Sequence, residues 1–265
     1  MKELSKNKVL NNGCITLYDC SDSIESLRKA MEFVGTISSI SRGKTYVGEE
    51  AIKLCKKLLK WRHLSPFEFV RIPIKYSITF PVKAGVQESW RNNFFGYLFI
   101  WNSFTERDKE RLKEVHKNNV ALFKLKVPIF IGRQIMRHRS FSFMEKSGRH
   151  KLLETDFHLP EDNLKEKIKE EYNNLASKFP LEKARSILPL GLYTEFYVIG
   201  DVFAYANFFL QRLNKETQEE TRKCATIMLK MIRKSKPEMY VFIVNEMKKL
   251  RKNIDLVSKM ILGII

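Results

Sequence analysis

Gln134-Ile135-Met136-Arg137-His138-Arg139-Ser140-Phe141-Ser142-Phe143-Met144-Glu145-Lys146-Ser147-Gly148-Arg149-His150 is the densest run of chemistry in the chain. Three arginines, two histidines, three serines and one carboxylate fall within these 17 residues. Arginine presents a planar fork of donors, so a cluster of this kind suits bidentate recognition of phosphate. A solvated basic loop has the same composition, because charge runs are common on protein surfaces. Spacing has to decide between the two.

The whole chain leans the same way. Its 265 residues carry 48 Lys+Arg against 30 Asp+Glu, a formal charge of +18. With 44% hydrophobic residues, 11 Gly and 8 Pro, it is too apolar for a disordered polycation and long enough to bury a sizeable core. An anionic partner is implied: nucleic acid, a membrane face or a phosphorylated small molecule. No apolar run approaches the roughly 18 residues of a membrane span. The opening Met1-Lys2-Glu3-Leu4-Ser5-Lys6-Asn7-Lys8 has charge but no apolar region after it, so it does not read as a secretory signal, and the expected location is the cytoplasm. Cys14, Cys20, Cys55 and Cys224 match neither zinc spacing nor a disulfide framework and read as small core residues, with no metal site.

Outward from the central stretch, periodicity predicts an α+β fold: a small antiparallel-type sheet flanked by helices, with a mainly helical second half. Ile15 to Tyr18 alternates like a strand, and Asp22-Ser23-Ile24-Glu25 reads as a capping pattern opening a helix to about Phe33. Glu49 to Trp61 sets Ile52, Cys55, Leu58 and Leu59 on one helical face, leading to a turn at His63-Leu64-Ser65-Pro66-Phe67-Glu68. Val70 to Val82 suits an edge strand or two short ones, interrupted by Pro73 and Pro81. An aromatic block follows (Trp90, Phe94, Phe95, Tyr97, Phe99, Trp101), then a charged helix from Thr105. Glu161 to Phe179 is a clear amphipathic helix; Leu181 to Arg212 is expected to continue helically with a break at Pro189, and Glu216 to Lys234 and Pro237 to Lys249 are further helices. Without repeats or a Gly/Ser/Pro linker, residues 1–265 are expected to form one domain.

The spacing of the central stretch resembles the signature of flavin-dependent thymidylate synthases, Arg-His-Arg-x-x-Ser-x-Asn-Glu-x-Ser-x-Arg-Tyr, with the same seven residues between Arg139 and Ser147. Two other segments agree, in the family's order. His63-x-Ser65-Pro66-Phe67-Glu68 resembles its His-x-Ser/Thr-Pro-x-Glu-His turn, and Ala184-Arg185 with Leu188-Pro189-Leu190, Leu192-Tyr193-Thr194, Asn207-Phe208 and Arg212 resembles its C-terminal core. The resemblance implies synthesis of dTMP from dUMP, with methylenetetrahydrofolate as carbon donor, FAD as the hydride-bearing cofactor and NADPH as reductant. It also implies a homotetramer with active sites where subunits meet, and no membrane or nucleic-acid partner.

Carried over position by position, the resemblance places His63, Ser65, Arg137, His138, Arg139, Glu145, Asp201 and Asn207 at the flavin. Gln134, Arg137, Glu145, Ser147, Gly148, Arg149, Arg185 and Arg212 fall in the dUMP pocket, where Ser147-Gly148-Arg149 is expected to offer backbone N–H groups and a guanidinium to the phosphate. Arg212 is the expected catalytic arginine at the uracil ring, its fixed charge stabilising anionic character at N3 and O2 as C5 becomes nucleophilic. Four departures sit inside the motifs: Met144 for Asn, His150 for Tyr, Phe69 for His, and Asp201 for an Asn at the flavin. Arg71 to Leu125 is longer than the family's usual passage and reads as an atypical insertion covering the site, adding a subunit contact or blocking the folate position. Two other readings remain: a catalytically degenerate relative that keeps nucleotide or flavin binding, and a basic nucleic-acid-binding protein, for which no recognised motif speaks.

Overall fold

The computed structural model describes residues 1–71, 105–149 and 152–261, with side chains to Asp255. The expected strand over 70–82 and the aromatic block therefore lie almost wholly outside the described residues, as does His150.

The centre is one five-stranded antiparallel sheet. Its strands are β1 (Lys2–Val9), β2 (Gly13–Asp19), β3 (Val120–Pro128), β4 (Ser142–Glu145) and β5 (Tyr193–Asp201), in the order β1-β2-β3-β5-β4. Around it run α1 (Leu27–Ser38), α2 (Gly48–Lys60), α3 (Glu106–Asn119), α4 (Ile129–Met136), α5 (Asp162–Lys178), the short α6 (Leu181–Ala184), α7 (Val202–Arg212), α8 (Glu219–Ser235) and α9 (Pro237–Ile261).

Strand periodicity divides the apolar residues into two cores. On one face Ile15, Leu17, Phe123, Leu125, Phe196 and Val198 pack with residues of α4, α7, α8 and α9. On the other, Leu122, Tyr197 and Ile199 pack with Phe33, Val34 and Ile37 of α1, with Leu112 of α3, and with Phe67 and Phe69 of the 3-10 turn Ser65–Phe69. The result is a sheet with helices on both sides.

That double burial explains the main departure from expectation. Leu181 to Arg212 is not a continuing helix: after α6 and a 3-10 turn at Arg185–Ile187 the chain enters β5, which pairs with β3 along its full length from Tyr193↔Pro128 to Asp201↔Val120. A strand buried on both faces lacks polar alternation, and a continuous apolar run such as Phe196 to Ile199 cannot be told from a buried helix by periodicity alone. Two smaller corrections follow from capping. Residues Ser21–Ile24 form a 3-10 turn, and α1 begins at Leu27 because the Ser26 side chain accepts the Lys29 N–H at 3.2 Å. β1, unassigned from sequence, is an edge strand whose lysines face solvent.

β3 and β5 also set the site. β3 delivers the chain through Pro128 into α4, whereas β5 ends at Asp201, whose carboxylate accepts the Ala204 N–H at 2.9 Å and starts α7. Because the strands are antiparallel, α4 and α7 begin at opposite ends of the pair, and their C-terminal turns meet.

Candidate active site

Where those turns meet, Arg212 is held by two acceptors from the end of α4. Its Nε donates to His138 Nε2 at 2.8 Å, and an Nη2 hydrogen goes to the Gln134 carbonyl at 3.1 Å. The carbonyl end of a helix carries partial negative charge, so a cation is favoured there. His138 is buried, 5% exposed, and meets the Phe208 ring edge-on at 5.0 Å. Burial, then the neighbouring Arg212 and Arg137, push its pKa down to about 4, so its Nε2 is an unprotonated acceptor at neutral pH. The Gln134 side-chain amide donates to Gln218 at the head of α8.

A second group lines a cavity of about 300 Å³ on the other side of α4. Ile129, Gly132, Arg133 and Met136 face it, recurring at three and four residues. Glu145, Gly148 and Arg185, expected in the dUMP pocket, line it as well. Sequence reasoning missed Lys126, Lys146, Thr194 and Glu195, which join them from β3, β5 and the end of β4. Their signal was the apolar run of β5 itself, which as a strand would have placed Thr194 and Glu195 beside Glu145. Most of these charges are paired: Lys126 with Asp156 at 2.8 Å, Lys146 with Glu195 at 3.2 Å, and Lys124 with the same Glu195 at 2.7 Å. Glu145 accepts from the Thr194 hydroxyl at 2.7 Å. Arg133 and Arg185 line the cavity and make no ion pair among the described residues.

The remaining predicted residues fall in several places. Arg137 and Arg139 are exposed and likewise make no ion pair among the described residues. Asn207 is half-buried, accepting from Gln211 at 3.0 Å. His63 and Ser65 are exposed on the turn that packs against β4, with His63 edge-on to Trp61 at 6.0 Å. The loop expected to cradle phosphate has its donors engaged: Ser147 N–H donates to Ser41 Oγ at 2.8 Å, Arg149 N–H to Ser147 Oγ at 3.2 Å, and the Arg149 guanidinium to Glu182 at 2.8 Å. A phosphate bound there has to displace these partners.

The departures have structural consequences. Phe69 is fully buried in the second core, and Met144 packs against it. Asp201, expected at the flavin, is 6% exposed and engaged as the α7 cap. Its negative charge acts on Arg71, which is 1% exposed and donates to the Ser140 carbonyl at 2.9 Å and to Ser142 Oγ at 3.2 Å. The carboxylate's charge therefore acts on a buried guanidinium that itself donates to the segment after Arg139.

Residues 109–238 match the family model described as thymidylate synthase complementing protein. The flavin-dependent thymidylate synthase of Thermotoga neapolitana is 31% identical over 140 residues, 46% of this chain and 65% of that protein. The Thermus thermophilus enzyme of the same name is 33% identical over 145 residues, covering 44% and 54%. That of Ehrlichia ruminantium is 25% identical over 271 residues, covering 90% and 73%. The chain thus spans between 54% and 65% of the length of the first two relatives. Among solved structures, the UMP/dUMP methylase PolB from Streptomyces cacaoi, bound with 5-Br UMP, has a TM-score of 0.49 at 19% identity, covering 90% of this chain and 96% of that one. The fold and the site define an α+β protein built on an antiparallel sheet, with an arginine-rich centre. Over residues 109–238 the chain is similar to the flavin-dependent thymidylate synthases, at about a third identity to these relatives. No described helix is long and apolar enough to cross a membrane.

Proposed function

We propose that the protein catalyses reductive methylation of dUMP to dTMP, with FAD as cofactor, methylenetetrahydrofolate as carbon donor and NADPH as reductant. The observation that carries this reading is the family match over residues 109–238, which spans Gln134 to Arg149, Arg185, Asn207 and Arg212. The donor set suits anionic ligands: Arg137 and Arg139 are exposed cations without an acidic partner among the described residues, and the charge of Arg137 acts on Arg212. FAD, when bound, supplies the hydride. Arg137, Arg139, Asn207 and Ser65 would hold it, with Arg133 and Arg185 available to the nucleotide phosphate.

Arg212 contributes a charge fixed in position and protonated at any working pH, directed at the pyrimidine as electron density builds on N3 and O2. Glu145, held by Thr194, orients the nucleotide. The chemistry needs no protein thiolate, and three of the four thiols are held protonated: burial raises those of Cys20 and Cys224 to about 12 and that of Cys55 to about 11.

The reading includes a homotetramer with shared sites, which the division of the expected residues by α4 supports. Within one chain, Glu145, Gly148 and Arg185 lie on the cavity side of α4, while Gln134 and Arg212 lie on the other. One nucleotide reaches both sets when a second chain supplies one of them. Purified protein showing an oxidised-flavin band and making dTMP from dUMP, methylenetetrahydrofolate and NADPH supports this function; colourless protein with no turnover overturns it. The burial of Phe69 and Asp201 and the engaged donors of Ser147 and Arg149 favour a second reading, a relative that binds nucleotide or flavin without turning over. Measured dTMP formation excludes it.

A further inference from the structure

We propose that His138 is a positioning residue: it fixes the orientation of the Arg212 guanidinium rather than meeting the flavin itself. This rests on the function proposed above and adds a role within that site.

The geometry leaves His138 little else to do. Its Nε2 is occupied by the Arg212 Nε hydrogen at 2.8 Å, and its ring is 5% exposed between Phe208, at 5.0 Å, and Phe141, at 6.3 Å. Packed on both sides, the imidazole cannot swing toward a phosphate without vacating an aromatic pocket. The second clamp, the Gln134 carbonyl at 3.1 Å, lies four residues earlier in the last turn of α4, just beyond whose end His138 sits. Two acceptors on one rigid element set the plane of the guanidinium, and its remaining N–H donors stay available to a ligand. Gln134 is tied in turn to Gln218, which joins the head of α8 to the same assembly.

The choice of imidazole has a chemical reason. A carboxylate would orient Arg212 more strongly, but it would also cancel the positive charge that the reaction uses. A neutral imidazole accepts the hydrogen bond and leaves the charge intact. Burial and the cations Arg212 and Arg137 keep it neutral.

The test uses flavin-loaded protein and reads three quantities: dUMP affinity by calorimetry, flavin absorbance and dTMP formation. His138→Phe keeps the ring but removes the acceptor. It is expected to weaken dUMP binding by about tenfold, the usual cost of a lost hydrogen bond to a charged group, and to slow turnover while flavin content stays at the wild-type level. His138→Gln, which restores an acceptor, recovers most of the affinity. In an Arg212→Ala background, His138→Phe costs nothing further. Arg212→Lys keeps the charge but cannot use both clamps, and is expected to bind dUMP as poorly as Arg212→Ala; this variant decides the matter if His138→Phe does not fold. Loss of flavin from His138→Phe in both backgrounds, losses that multiply in the double variant, or wild-type dUMP affinity in Arg212→Lys overturns the role given to His138. A wild-type protein that binds no dUMP overturns the functional reading instead.

Discussion

At the scale of single residues, the site turns on which arginines are already engaged. Arg149 is paired with Glu182 and Arg212 is clamped by His138 and Gln134, whereas Arg133, Arg137, Arg139 and Arg185 make no ion pair among the described residues. Arg212→Ala is therefore expected to abolish dTMP formation while leaving much of the flavin bound, checked by a product assay beside the flavin absorbance of the same preparation. Asp201→Asn keeps an acceptor for the Ala204 N–H but removes the negative charge that favours the cationic form of buried Arg71. The expected loss is about 1–3 kcal/mol in urea unfolding. It should come with weaker flavin binding, because Arg71 holds the loop at Ser140 and Ser142.

At the scale of elements, β5 carries the most consequence. It pairs with β3 on one side and β4 on the other, and so ties Thr194 and Glu195 to the cavity and Asp201 to the start of α7. Gly200 in this strand has no room for a side chain: an added Cβ would lie 2.4 Å from the Phe141 ring. Gly200→Ala is expected to destabilise the protein by about 1–3 kcal/mol through overpacking, seen as a lowered melting temperature. Gly132→Ala, whose Cβ would meet Phe196 at 3.4 Å, serves as the milder control. The amphipathic helices were legible because their apolar residues recur at three and four positions, and observed α2 and α5 lie within a residue of expectation. β5 was not legible, since Phe196 to Ile199 shows the same apolar character on both faces and only its neighbours reveal it as a strand.

At the scale of the whole molecule, two buried histidines set the acid limit. His116 is fully buried, has no hydrogen-bond partner for either ring nitrogen among the described residues, and is pushed down to about 3 by burial and then by Lys236. His138 lies at about 4. Both values are below the ordinary 6.5, so between these limits the unfolded chain binds protons that the folded protein refuses. The contribution of these two groups is then level above about pH 6.5 and is lost as pH drops through the range to about 4 for His138 and about 3 for His116; His116→Leu should flatten part of that slope in denaturation followed as a function of pH. The division of the site by α4 makes a second prediction at this scale. Arg185→Ala and Arg212→Ala are each expected to be inactive, but mixed and allowed to exchange subunits they should regain dTMP formation, because some shared sites then hold both arginines. Continued inactivity of a mixture shown to exchange would place both residues in the same chain's site.

By itself the sequence carried the resemblance to the flavin-dependent thymidylate synthases, through the spacing of Arg137, His138, Arg139 and Ser147, and it determined the amphipathic helices, through local periodicity. It determined which residue types would meet anions, since only arginine offers a permanent planar charge. Tertiary structure decided which of those charges remain available. Whether Arg149 is paired, whether Ser147 N–H is engaged and whether the charge of Asp201 acts on Arg71 depends on residues distant in the chain, such as Ser41, whose hydroxyl accepts from Ser147 N–H, and Arg71. Such contacts leave no local signature, because hydrogen bonding and burial are properties of neighbours in space.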